Sequence, residues 1–378
     1  MRVESITLEG LHDFHQVAWA VYQDDPRWIP EDRGSLVGLM EPGHGVRTAA
    51  WCVPERSRVA AFLHDGPIEG VADRTCFFGL WESVGNLDAD RLTFDALRSW
   101  ARAHGAKHLL GPINRTTFAG YRILTEVRGE PSPTLAEPYN PLWYSERLHT
   151  LGFRRVGPGY FTFVLDPEQQ TAVVELAQEG EHQFLSHGFT FEPMTEAIWL
   201  ENLDTFGDMV MSVFSRQFAF TPIDHDTFVR HHGATFIRRI IPECSIASRA
   251  PNGELAGFFL SYPDYGPICS LGAGESRVAL GALNAREDIP RLQTTGHARW
   301  VGRTGGIREE YRGLGVLAAA YSWVIRHALE NTLWGDAWWG IGTDGKGPER
   351  VFRQLLDAHP SGPVDRQVRR YGLFGTDL

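Results

Sequence analysis

Residues 305–317 read Gly305-Gly306-Ile307-Arg308-Glu309-Glu310-Tyr311-Arg312-Gly313-Leu314-Gly315-Val316-Leu317. A strand is expected to stop at Ile307, a short turn to follow, and glycines to open a long helix. A helix N-terminus leaves backbone N–H groups unpaired and carries partial positive charge. Glycines let a phosphate come close to those donors, and Arg312 adds a positive charge at the mouth. The segment therefore suits a pyrophosphate. Two other phosphate-binding patterns fit less well. A P-loop requires Lys and then Ser or Thr after its last glycine, whereas Val316-Leu317 follow here. A dinucleotide fingerprint wants three glycines in a set spacing, and Gly313-Leu314-Gly315 supplies only two. A glycine-rich turn that merely packs helix on sheet is the remaining alternative.

On both sides of this stretch, hydrophobic periodicity predicts strands and helices in turn. Upstream, residues 298–307 are a strand. Residues 244–248 and 255–262 form a hairpin around Pro251-Asn252-Gly253. Helices are expected over 171–182, 195–214 and 226–238, with a strand at 189–192. Downstream come the long helix 313–331, a strand at 337–343, a helix at 348–358 and a closing strand at 370–374. The first half has a comparable order: strand 2–8, helix 11–22, paired strands 51–53 and 58–62, strand 75–82, helix 87–104, strand 108–111, helix 141–151 ended by Gly152, and strand 160–165. Each half thus reads as strand, helix or helices, antiparallel strands, then helix–strand–helix–strand. The pattern repeats without residue-level identity. The break at Asp166-Pro167 suggests domains 1–166 and 167–378, both α+β, each with a mixed, mostly antiparallel sheet flanked by helices.

Composition bounds the function. The chain has 378 residues, 43% hydrophobic and 22% charged, and a formal net charge of −11. A length of this order is a prior for two domains that bury their own cores. The acidic balance argues against a nucleic-acid binder, which needs a basic face to displace counterions, but leaves room for one local basic groove. Cys52, Cys76, Cys244 and Cys269 form no CxxC pair, and read as buried thiols in a reducing compartment. The N-terminal segment lacks the apolar core of a signal peptide, and no stretch approaches the ~20 apolar residues that cross a bilayer. A cytoplasmic protein without a membrane partner is the expectation. His231-His232 are adjacent and no HExxH occurs, so no metal site is expected.

The 312–317 segment resembles the CoA-binding signature of the GNAT superfamily: Arg or Gln, two residues, Gly, one residue, then Gly or Ala. Arg312 and Gly315 match, and Leu317 stands where the last small residue is expected. Further pieces look like those of large two-domain GNAT-type proteins found widely in bacteria. They include the run from Tyr22 to Pro30, Phe77-Phe78-Gly79, Gly111-Pro112-Ile113-Asn114, Tyr139-Asn140-Pro141 and Phe218-Ala219-Phe220-Thr221-Pro222. The resemblance implies two tandem GNAT-like domains and an N-acyltransferase. It would move an acyl group, acetyl first among the candidates, from acyl-CoA to the amine of a small molecule or amino acid by direct attack. The backbone at Ile307 and Arg308 would bind the acyl and pantetheine amides. The amides of Gly313, Leu314, Gly315, Val316 and Leu317 would hold the pyrophosphate beside Arg312. The N-terminal half has no such signature before its 87–104 helix, and acidic residues lie in its place. That half is expected to be degenerate for CoA and to lend a wall to the acceptor pocket through residues 111–117 and 139–141, unless these are purely structural loops.

Direct attack needs a base for the ammonium, a donor for the thioester carbonyl and an acid for the leaving thiolate. Asp344, His297 and Asp264 are candidate bases, although Asp344 also reads as a helix-capping or turn residue. The helix where family members often keep an acidic tyrosine has none here, which leaves Tyr371 or Tyr144. Other readings stay open: a donor thioester on an acyl carrier protein, to which Leu317 points, a non-catalytic GNAT-like binding protein, and aminoacyl transfer from tRNA, which the net charge disfavours. A monomer or homodimer fits equally.

Overall fold

Runs rich in Val, Ala, Phe and Trp between polar turns make the strands of the first half, and the side chains of Asp32 and Asn86 cap the starts of two of its helices. The computed structural model describes residues 1–7, 10–41, 43, 45–129, 135, 137–296, 298–331, 337–343 and 369–378. The first half holds β1 (Glu4–Ser5), α1 (Leu11–Tyr22), α2 (Arg33–Met40), β2 (Val46–Val53), β3 (Ser57–His64), β4 (Thr75–Ser83), α3 (Leu87–Ala103), β5 (His108–Gly111), β6 (Ile123–Val127), α4 (Tyr144–Thr150) and β7 (Arg154–Leu165). The second holds α5 (Pro167–Ser186), β8 (Thr190–Pro193), α6 (Glu196–Glu201), α7 (Leu203–Phe214), α8 (His225–His232), α9 (Ala234–Ile237), β9 (Ile246–Arg249), β10 (Leu255–Pro263), α10 (Gly266–Cys269), α11 (Ala285–Thr294), β11 (Trp300–Ile307), α12 (Val316–Glu330), β12 (Ala337–Thr343) and β13 (Arg369–Asp377).

Several expected elements are divided or extended for local reasons. The 226–238 helix breaks at Gly233 into α8 and α9, and the 195–214 helix breaks at Asn202 into α6 and α7. Helix α5 starts earlier than its apolar period, because Asp166 and Gln169 form a reciprocal capping box and Pro167 sits in the first turn. The expected helix at 348–358 lies outside the described residues.

Both halves repeat one plan. β2, β3 and β4 are antiparallel neighbours, and β5 runs parallel to β4 after α3 crosses over. β9, β10 and β11 are likewise antiparallel, and β12 runs parallel to β11 after α12. The strands join into one sheet in the order β1-β2-β3-β4-β5-β13-β7-β12-β11-β10-β9-β8, with β6 paired to β13. The join is an exchange: the last strand of the chain, β13, lies between β5 and β7 in the first half, while β7 pairs with β12 of the second.

Helices cover both faces. In the second half α5 and α12 pack Val173, Tyr321, Val324 and Ile325 on Trp300 and Phe259, and α7 packs Phe206, Met209 and Val210 on Phe258 and Leu260 from the other side. In the first half α1 and β13 share one core, with Phe14, Val17, Tyr371 and Leu373, and α3 presents Phe94 and Leu97 to Phe78 and Trp81 on the other face. The two halves are also clamped at loops. Leu271 N–H donates to Trp28 O and Gly272 N–H to Pro26 O, both at 2.7 Å. The Phe218 ring packs so closely on Gly157 that a Cβ there would lie 2.5 Å from the ring. The Tyr22–Pro30 and Phe218–Pro222 runs therefore serve the interface between the halves.

Arg58, 2% exposed, is forked by Glu31, with Nη1–Oε1 at 2.5 Å and Nη2–Oε2 at 2.8 Å. Burial opposes ionisation of Glu31, but the Arg58 guanidinium and His15 hold its carboxyl down at about 2 from 4.5. The folded state then binds fewer protons than the unfolded one in that window. The stabilisation is fully present above pH 4.5 and is lost as the pH falls through 2. Chemical denaturation of wild type and Glu31→Gln between pH 5 and pH 2 is expected to show about 3 kcal/mol more acid loss in wild type. Equal slopes would contradict the ion pair's role.

Candidate functional site

β11 pairs with β10 along its length but with β12 only at residues 300–302. Beyond Gly302 no described strand pairs with that edge of β11. The register with β10 slips between Leu260 and Ser261, which leaves Arg303 as the extra residue of a β-bulge. Arg308 N–H donates to Ala256 O at 3.0 Å. Bonded pairs alternate along an antiparallel ladder, so Gly306 and Thr304 also face β10. Gly305 and Ile307 turn their N–H and C=O groups to the opposite side, away from β10. Gly305 and Gly306 are required here: a Cβ would lie 2.7 Å from the Phe259 ring at the first and 2.9 Å from Phe258 at the second.

The turn after β11 presents a set of donors. Gly313 and Gly315 adopt φ of +87° and +78°, the left-handed region that favours glycine. Gly315 caps α12 without any side-chain bond. The first backbone bond into α12 is Ala319 N–H to Gly315 O at 3.0 Å. Among the described residues no acceptor meets the N–H groups of residues 313–318. Arg312 is exposed at the rim, and its Nε donates to Ile307 O at 3.3 Å. Leu317 is half-buried against the core that α12 covers, so the larger side chain is accommodated while its N–H stays on the loop.

Slot and loop open into a cavity of about 2050 Å³ between the halves. The second half lines it with Gly302–Ile307, Tyr311–Gly313, Gly315–Ala318, Tyr321, Phe258–Leu260 and Tyr262. The first half lines it with His64, Arg115–Ala119, Tyr121, Arg122 and Tyr160. Three imidazoles line it, those of His64, His231 and His232. His64 bonds Arg115 O at 2.7 Å and His232 bonds Phe228 O at 3.1 Å through Nδ1. Burial lowers the pKa of all three, that of His232 to about 4, so each is neutral at pH 7.

The corresponding places in the first half are filled by the chain itself. Where β4 leaves β5, Ile113 N–H donates to Phe78 O at 2.7 Å and Leu80 N–H donates to the Asn114 side chain at 2.8 Å. The α3 N-terminus is capped by the Asn86 side chain, with Asp88 and Asp90 in its first turn.

The residues singled out from sequence fall in different places. Ile307, Arg312, Gly313, Gly315, Val316 and Leu317 all line the cavity, and Leu314 stands 53% exposed on the same loop. The Arg308 amide is engaged by Ala256 O, so it does not face the slot; the N–H groups turned away from β10 are those of Gly305 and Ile307. Asp264 sits at the other end of β11, about 20 Å away at the usual rise per strand residue. There it is buried, and its carboxylate is 2.8 Å from Arg299 and accepts from Gly266 N–H. That ion pair makes it a structural group. Tyr371 is wholly buried on β13 and donates to Glu137 at 3.0 Å. Tyr144 is buried in the first half and donates to Glu82 at 2.7 Å. Neither tyrosine lines the cavity. Asp344 and His297 lie outside the described residues. Asn114 and Asn140 serve backbone: Asn140 exchanges bonds with Leu124 N–H at 2.8 Å and Leu124 O at 3.1 Å. Arg115, Thr116 and Thr117 do line the cavity. The sequence reading missed Arg122, Arg303, His64 and His232. Only Arg303 carried a signal, as a charge within the apolar strand leading to the glycine turn.

Solved structures share this architecture. A tandem GNAT protein from the clavulanic acid biosynthesis pathway, solved without acetyl-CoA, matches all of this chain and 98% of its own at 12% identity, with a TM-score of 0.54. A probable N-acyltransferase of unknown function from Enterococcus faecalis V583 matches at 8% identity over 72% of its chain, with a TM-score of 0.52. A GCN5-related N-acetyltransferase from Anabaena variabilis matches at 7% identity over 72% of its chain, with a TM-score of 0.51. No family model and no curated protein matches the chain. At these identities the likeness is one of fold: the chain is α+β with a tandem GNAT fold.

Proposed function

We propose that the protein is an acyl-CoA-dependent N-acyltransferase with one CoA site, in the second half, and an acceptor pocket between the halves. The observation that carries this reading is the loop 313–318, whose backbone donors meet no acceptor among the described residues and open on the same cavity as the edge of β11 that no described strand pairs. The pyrophosphate would sit on those donors, with Arg312 alongside. The pantetheine arm would lie along β11 and pair with Ile307 and Gly305. The thioester carbonyl would reach the bulge near Arg303, at the far end of that edge. The acceptor amine attacks the carbonyl carbon, the C–N bond forms and the C–S bond breaks. The ammonium proton goes to a neutral base, for which His64, His231 and His232 are the imidazoles of the cavity. After attack the nitrogen loses its second proton to become an amide, and the leaving thiolate takes that proton up. The closed slot and the acidic, capped α3 terminus support a first half that shapes the acceptor pocket without holding CoA.

A donor on a carrier protein would use the β11 edge and leave the loop empty. The half-buried packing of Leu317 removes the reason to prefer that reading. Calorimetric titration with acetyl-CoA is expected to give binding that Arg312→Ala weakens by about tenfold, the loss of one exposed charge-assisted phosphate contact. Unchanged affinity in that variant would remove Arg312 from the site.

A further inference from the structure

The cavity wall contributed by the first half contains a buried cation that the acyl-transfer chemistry does not use. Arg122 follows β-bridged Tyr121, and its own N–H is fixed to Pro112 O at 2.7 Å. The residue is 7% exposed. Its guanidinium carbon lies 4.1 Å from the Tyr121 ring centroid, 5.1 Å from that of Tyr160 and 5.6 Å from that of Tyr371. Its Nε is buried with no hydrogen-bond partner, and no carboxylate or carbonyl meets the guanidinium among the described residues. The one carboxylate in this cluster, Glu137, is engaged by Arg369 at 3.3 Å and by the Tyr371 hydroxyl at 3.0 Å.

Burying a cation without an acceptor is costly, and tyrosine faces offset only part of that cost. Rings stacked on a guanidinium cover its faces and leave its rim, where the N–H groups point, for a planar acceptor. A carboxylate matches that fork with two parallel bonds. The position is also informative. Arg303, at the bulge of β11, lies in the field of Tyr121 and Tyr371, two of the rings around Arg122, and both arginines line the same cavity. A group held at Arg122 is therefore next to the open edge of the acyl slot.

We infer that the acceptor carries a carboxylate, as an amino acid does, and that Arg122 within its tyrosine cage binds it so that the amine faces β11. The inference rests on the acyltransferase reading for the role of the amine, but the carboxylate site itself does not depend on it. Arg122 acts here as a specificity-determining residue and takes no part in proton transfer.

The test is a thermal-shift panel of the twenty amino acids and their carboxamides against the full chain, with and without acetyl-CoA. One or more acids are expected to raise Tm, with the matching amides about tenfold weaker for loss of the charged bidentate partner. Arg122→Gln is expected to erase the difference between acid and amide, and Arg122→Lys to restore part of it. Acetyl-CoA binding should persist in both variants, which also reports that they fold. Equal shifts by acids and amides in wild type, or no shift by any acid, would overturn the inference without reference to a variant. Acid binding at Arg122 in a protein that fails to bind acetyl-CoA would leave the carboxylate site standing and sink the acyltransferase reading instead.

Discussion

A chain ending at residue 368 is expected not to fold. Strand β13 lies between β5 and β7 and also pairs with β6, so its removal opens three ladders at the centre of the sheet. Tyr371 and Leu373 are fully buried and Phe374 is 1% exposed. Burial of three such side chains is worth about 5–9 kcal/mol by itself, comparable to the whole stability of a typical domain. Arg369 and Glu137 form a buried pair, and removing one partner leaves the other uncompensated, a further loss of about 3–5 kcal/mol. The single substitution Leu373→Ala isolates the packing part and is expected to cost about 2–5 kcal/mol. Urea denaturation of that variant, with expression and gel filtration of the truncated chain, checks both. A soluble, cooperatively folding truncation would mean that the first half closes its sheet without the exchanged strand.

Gly315→Glu is expected to abolish acyl-CoA binding while leaving the fold intact. A Cβ at Gly315 would meet nothing within 4 Å, so the side chain fits. The cost to stability is the left-handed backbone, about 1 kcal/mol for a non-glycine residue. The cost to binding is larger, because a carboxylate would stand among the donors proposed to hold the pyrophosphate. At least about a hundredfold loss of affinity is expected, equivalent to roughly 3 kcal/mol. Gly315→Ala carries the same backbone strain without the charge and separates the two effects. The ligand-induced rise in Tm with acetyl-CoA, compared across wild type, Gly315→Ala and Gly315→Glu, is the measurement. A rise retained in Gly315→Glu would place the nucleotide elsewhere.

The glycine loop was legible because its conformation has few solutions. Only glycine takes φ near +80° without strain, and a strand, a turn and a helix in that order leave donors exposed. Helix α1 and strand β5 were legible because local periodicity and flanking turns decide them. The exchange of β13 was not, because a strand's partner is chosen by contacts more than 200 residues away and its own sequence reads the same in either half. Two of the acid and base candidates, Asp264 and Tyr371, stand away from the cavity for a related reason. Asp264 and Tyr371 are chemically suitable side chains, but tertiary packing gave Asp264 to Arg299 and Tyr371 to Glu137. Arg122 was overlooked because nothing local marks it. Its meaning comes from three tyrosines on three separate segments, brought together by the exchange of strands.

The most direct test of the account is the stoichiometry of acetyl-CoA binding by calorimetry on the full chain. One equivalent per chain is expected, because the loop before α12 meets no acceptor among the described residues while the slot and helix terminus of the first half are filled by Asn114 and Asn86. Two equivalents would contradict the closed first half, and no binding at all would contradict the acyl-CoA site itself.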